Sequence, residues 1–266
     1  MYKIGEKLLP SKLKNVFWGF FALVAAVAIY IAMSVNEKPY LLFLSGAGMK
    51  APVTEIANNF EKKTGIKIYT FFDGSAVLRD YIINFRGGDL FLSGDEKNFN
   101  AVVEKRFVED SSFVAWHIVA ILVSPRYKEE IKGLDDLAKK GVRLAISNPR
   151  MASLGRLVME QIIKRHPKGK EILNNVVVYG SSTDDILKLY RQGNIDAIIE
   201  WDVMADTPEG KGLSIVEIED QYKIKDPLKI GLLKTSKNPK AARKFYDYFT
   251  TKGIDVFRKH GYEVER

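Results

Sequence analysis

Four short stretches carry the residues best suited to chemistry, and they share one composition. Ser45-Gly46-Ala47-Gly48, Asp73-Gly74-Ser75, Ala152-Ser153-Leu154-Gly155 and Gly180-Ser181-Ser182-Thr183 each put small or hydroxyl side chains at the mouth of an amphipathic segment. The first amides of a helix have no acceptor within it, and small residues leave them open. With the positive end of the helix dipole they make a site for a negative group. Any one loop also reads as an ordinary helix start, since Ser75 and Thr183 are good N-caps. Four such loops in one chain predict a shared compact anion. Lys50 is the sole lysine near them, so neutral donors would do most of the holding.

Catalytic patterns are absent. The chain has no H-E-x-x-H, no G-x-S-x-G and no P-loop. His117, His166 and His260 lie far apart and read as structural or surface residues. Asp184-Asp185 sits at a helix start, where acids favour the dipole. There is no cysteine, which excludes disulfides, thiolate metal sites and a lipid-bearing cysteine. No free-cation metal site and no cofactor are expected. The net charge of +8 is interspersed with acids, which reads as a solvated surface and not a nucleic-acid interface. One rival fingerprint is Gly46-x-Gly48-x-x-Ala51 with Asp73 after the next strand, the pattern of a dinucleotide-binding Rossmann domain. Asp73 runs straight into Gly74-Ser75 and a new helix, which weakens it.

The elements that must position these loops alternate along the chain. Strands are expected at 41–44, 66–72, 89–93, 114–123, 142–147, 176–179, 196–201 and 228–233. Helices are expected at 52–63, 76–85, 96–105, 134–140, 156–165, 184–192, 239–250 and 253–260. Such alternation predicts an α/β chain with parallel sheets, and puts the loops together beyond the strands' carboxyl ends. At the N-terminus, a basic cytoplasmic segment (1–14) precedes 15–36, which carries no charge. At 1.5 Å per residue that stretch spans about 33 Å, enough for a transmembrane anchor or signal segment. The lysines before it predict that the rest of the chain lies outside the cytoplasm, as a single-pass, membrane-anchored domain.

A-P-V-T-E-I-A-N-N-F-E-K-K-T-G-I-K-I, D-G-S-A-V-L-R-D-Y-I, G-D-L-F-L-S-G-D-E-K, V-R-L-A-I-S-N-P-R-M-A-S-L-G-R and Y-R-Q-G-N-I-D-A-I-I-E-W follow one another in a specific order. In this, residues 40–262 resemble the periplasmic solute-binding proteins of ABC transporters, in particular the molybdate/tungstate receptors. The resemblance implies a two-lobe, type II-like periplasmic-binding-protein fold. Lobe 1 would be 40–118 with 228–266, and lobe 2 would be 119–227. It implies a monomeric receptor, not an enzyme, that takes molybdate or tungstate in the cleft and delivers it to a permease.

Carried over residue by residue, the first serine of the family falls at Gly48, with Ser45 nearby as a substitute, and the second at Ser75. Main-chain donors fall at Leu154 and Thr183, within loops that also offer Gly74 and Ser153. The family's tyrosine falls at Trp201. Glu200, just before it, matches a glutamate that joins the oxyanion's metal centre in one branch of these receptors. It reads equally as an ordinary strand-end acid. The departures at Gly48 and Trp201 leave open a receptor of the same fold for another oxyanion, an organic anion or a metal chelate, or an anchored sensor module.

Overall fold

The computed structural model describes residues 39–265. The expected basic segment and anchor at 1–36 lie outside the described residues. Among the described residues no helix is long and apolar enough to cross a membrane.

Strand–helix alternation begins with β1 (Tyr40–Gly46), α1 (Lys50–Thr64), β2 (Lys67–Asp73), α2 (Ser75–Phe85), β3 (Leu90–Leu92) and α3 (Glu96–Glu104). The long β4 (Val108–Val123) follows, then α4 (Leu134–Leu137), β5 (Leu144–Ser147), α5 (Ser153–Leu157), α6 (Gly169–Asn174), β6 (Val176–Gly180), α7 (Thr183–Arg191) and β7 (Ala197–Trp201). The chain closes with β8 (Ser214–Glu217), β9 (Lys225–Leu233), α8 (Pro239–Tyr248) and α9 (Ile254–Lys259).

Periodicity accounts for the elements. Val53, Ile56, Ala57 and Phe60 recur at helical spacing along α1 and are buried. Gly65 ends that helix with φ 71°, a left-handed turn in which a Cβ is disfavoured. β5 and β7 are buried at every position, as strands covered on both faces must be. Phe43, Phe245 and Phe249 pack edge to face, with centroids 5.5–5.9 Å apart, where α8 covers β1.

The strand order is 2-1-3-9-4-7-5-6, with β8 on the far side of β4. β1 lies parallel between β2 and β3, and β5 lies parallel between β6 and β7. β9 joins β3 antiparallel. This is not the all-parallel 3-2-1-4-5-6 order of a Rossmann domain, so the dinucleotide alternative is corrected by topology. β4 joins the two halves. Up to Ile118 it pairs with β9, and from Val119 onward it pairs with β7 and β8. The amide of Val119 donates to Ile224 O (3.0 Å), so the neighbouring chain stays bonded where β4 changes partners.

The expected strand at 114–123 covers only the later part of β4. Glu109, Asp110, Ser111 and Ser112 hide the start, because β4 is half-exposed there. The expected helix at 156–165 begins earlier, at Ser153, and widens into a π-turn over Val158–Ile163. α6 and β8 were not expected at all. α6 is short, and β8 alternates half-buried and exposed residues over four positions only.

Candidate functional site

β1, β2, β5 and β6 each lead into one of the four small-residue stretches, β5 by way of residues 148–151, and each stretch opens the next helical segment. All four loops line one cleft of about 1380 Å³. Three of the helix starts have no side-chain cap: Met49, Gly74 and Ala152 precede α1, α2 and α5 without such a bond. The first amides of α2 and α5 are free of intrahelical partners, whereas α1 continues a 3-10 turn over Ala47–Met49 and Lys50 N donates back to Ala47 O. At α7 the Ser182 hydroxyl accepts from Asp185 N (3.2 Å).

Local packing brings these starts close to the strands. A Cβ on Gly155 would lie 2.3 Å from Ser147 O, so only glycine lets α5 approach the end of β5. Ser75 is buried, and its Oγ accepts from Gly94 N (2.9 Å). Its own proton is therefore left for the cleft.

Gly48, Gly74, Ser75, Ser153, Leu154, Thr183 and Trp201 come together in the cleft lining. Gly74 brings no free amide, because its N–H already donates to Asp73 Oδ1 (2.7 Å). Ser45 and Glu200 do not reach the cleft. Ser45 is fully buried in β1 and turns its hydroxyl to Gly46 O (3.3 Å). Glu200 is also fully buried. Successive strand residues point to opposite faces, so Trp201 takes the cleft side and Glu200 the side beneath.

There Glu200 accepts from Thr183 Oγ1 (3.1 Å), Ser147 Oγ (3.5 Å) and its neighbour's amide, Trp201 N (3.1 Å). Burial pushes its pKa up to about 7 despite those bonds. In this place the carboxyl supports the cleft floor through Thr183 and Ser147.

Sequence reasoning missed His117, which lines the cleft beside Trp201. Their rings stack with centroids 4.2 Å apart and planes 17° from parallel. His117 lies on β4 one residue before the last pair with β9, so this floor sits where the two halves meet. Its Nδ1 faces Gly94 O (3.0 Å) and its Nε2 is buried with no partner. Burial pushes its pKa down to about 4. A single histidine in an apolar run carries no pattern that would have signalled this.

Lys188 and Arg191 of α7 also reach the cleft, with Lys50 of α1. Asp73, Asp184 and Glu209 belong to the same lining. The charges offset, leaving amide and hydroxyl donors as the selective feature.

Comparison with known proteins places this geometry. A Bacillus subtilis chain assigned by name to the substrate-binding lipoproteins of ABC transporters, YvgL, is 26% identical over 252 residues, covering 92% of this chain and 95% of the relative. The molybdate-binding protein ModA of Rhodobacter capsulatus is 25% identical over 251 residues, covering 93% and 96%. Among solved structures, PEB3 bound to L-phospholactate superposes with a TM-score of 0.67 at 21% identity, over 85% of this chain and all of that one. The profile of the bacterial extracellular solute-binding proteins matches residues 41–263, nearly everything described. The protein is a member of that family, with the α/β architecture of the periplasmic binding proteins.

Proposed function

We propose that the protein is the extracytoplasmic receptor of an ABC transporter, and that it captures a small oxyanion, molybdate or tungstate first among them, for delivery to the permease. The observation that carries this is the convergence of four loops, each following a parallel strand, on a single cleft. The resemblance to ModA points the same way.

In this reading no bond is made or broken. Residues 40–118 with 228–266 act as one lobe and 119–227 as the other, and they close about the crossing strands. Ser75 Oγ and the amide of Gly48 hold the anion from one side. The amides of Ser153, Leu154 and Thr183 hold it from the other, over Trp201. Micromolar to nanomolar affinity needs about 8–12 kcal/mol. Five to seven charge-assisted bonds at about 1.5–3 kcal/mol each supply that after closure costs. The receptor acts as a monomer, and the anchor at 15–36 keeps it beside its permease.

A second reading keeps the receptor and changes the anion. The cleft exceeds the roughly 300–1,000 Å³ of an ordinary small-ligand site. Gly48 brings no hydroxyl, and Asp73 occupies the Gly74 amide. Both features suit a larger organic anion, such as a phosphorylated hydroxy acid. Titration calorimetry of the full-length protein with molybdate, tungstate, sulfate, inorganic phosphate and phospholactate separates the readings. Heat with tungstate or molybdate alone supports the first, and heat with phospholactate alone supports the second. No heat with any of them removes the oxyanion reading.

A further inference from the structure

The floor of the cleft holds one polar atom that the fold leaves unused. His117 Nε2 is buried without a partner, while the opposite nitrogen, Nδ1, faces Gly94 O at 3.0 Å. A carbonyl oxygen only accepts, so the proton of the neutral ring sits on Nδ1 and Nε2 presents a lone pair. The edge bearing it is closed to solvent, and two glycines of the cleft lining lie beside it. A Cβ on Gly48 would lie 3.9 Å from Nε2 and 3.8 Å from Cε1, and a Cβ on Gly94 would lie 3.9 Å from Cε1. An orphaned buried nitrogen is costly unless something comes to satisfy it.

We infer that His117 is the proton-linked contact of the cleft: an anion that seats at Gly48 and Gly94 and opens this edge binds together with one proton, drawn from solvent, that lies between Nε2 and an anion oxygen. The inference rests on the oxyanion reading. A lone pair facing an anion oxygen repels it, and a proton between them turns the contact into a charge-assisted hydrogen bond.

The surroundings favour the proton once an anion is present. Asp95 contributes an attractive charge to the ring. Asp226 pairs with His117 across β9, and its carboxylate accepts from Glu96 N (3.0 Å). Asp202 follows Trp201 and acts on Tyr262, whose ring lies 5.8 Å away on the C-terminal segment. Lys50, Lys188 and Arg191 are the opposing cations of the cleft lining. The indole face of Trp201, 4.2 Å off, attracts a cationic ring more than a neutral one. Without the anion, burial prevails and keeps the imidazole neutral, with its pKa at about 4.

The test is titration calorimetry of the full-length protein at about pH 6.5, with tungstate and with inorganic phosphate. Each titration is run in two buffers of different ionisation enthalpy, which counts protons independently of any variant. Uptake approaching one proton per bound tungstate is expected, with affinity rising up to about tenfold for each unit that pH falls. His117→Gln keeps a donor at the Nε2 position but does not titrate, so it should bind tungstate with no proton uptake. Tungstate binding with no uptake in the wild-type protein overturns the inference and leaves the receptor reading intact. Uptake that persists in a folded His117→Gln variant also overturns it. If neither anion binds, the oxyanion reading fails and this inference with it.

Discussion

The imidazole of His117 lies flat against the indole of Trp201, 4.2 Å between centroids, where β4 exchanges β9 for β7 as its partner. One ring belongs to a crossing strand and the other to the end of a parallel strand in the second half. An anion resting on this pair would touch the junction of the two halves. Trp201 is therefore placed to report binding. Trp201→Phe should retain the fold and the ring stack, and should remove most of the ligand-induced change in tryptophan fluorescence. Trp18 and Trp116 remain as a constant background. An unchanged signal in the variant would place the ligand elsewhere.

Ser75 is the second test of placement. Its Oγ takes the Gly94 amide and leaves one proton for the cleft. Ser75→Ala removes that donor and should weaken anion binding by about tenfold, on the order of 1.4 kcal/mol for one bond. The Gly94 amide loses its partner as well, which costs about 1 kcal/mol of stability. Calorimetry and urea unfolding read the two effects separately.

Glu200 gives a pH prediction of definite sign. The folded carboxyl keeps its proton up to about pH 7, against an ordinary value of 4.5. Between these values the folded state binds more protons than the unfolded one, so this group makes stability fall as pH rises. Glutamine never ionises. Glu200→Gln should therefore gain about 3 kcal/mol over the wild type at pH 8 and little at pH 4.5. Urea unfolding at both pH values checks it. Anion affinity should survive the substitution, because the carboxylate lies beneath Thr183 and Ser147 and not in the cleft. A loss of tungstate binding in Glu200→Gln would restore the metal-ligand role.

Gly155 tests the packing that aims α5. An added Cβ would meet the backbone oxygen of Ser147 at 2.3 Å, with Asn148 C at 2.7 Å. Neither is the end of a flexible side chain. Gly155→Ala should cost about 1–3 kcal/mol or more, as overpacking does, and should displace the Ser153 and Leu154 amides. Thermal unfolding measures the first effect and affinity the second.

The loops were legible in the sequence because their chemistry is local. A run of Gly, Ser and Thr before an amphipathic helix has few other uses, and the cleft lining contains residues from all four. The alternation of strands and helices was equally plain, since buried parallel strands such as β5 open on a continuous apolar run, Leu144-Ala145-Ile146. Less could be read where the signal depends on distant chain. The first residues of β4 look like a polar loop until β9 is known to lie beside them. Glu200 and Trp201 are neighbours in sequence, and only the strand's pleat sends one under the floor and the other into the cleft. His117 acquires its place from Gly48, Gly94 and Trp201, three residues on three separate elements. No spacing along the chain encodes that meeting.

The central claim is that amides and hydroxyls from both halves converge on one anion. Anomalous diffraction from crystals of the protein grown with tungstate measures this directly. The account predicts a single strong tungsten peak in the cleft, over the His117–Trp201 pair, with anion oxygens within hydrogen-bond reach of Ser75 Oγ and of the amides of Leu154 and Thr183. A peak outside the cleft, or a cleft free of tungsten at saturating concentration, would contradict it.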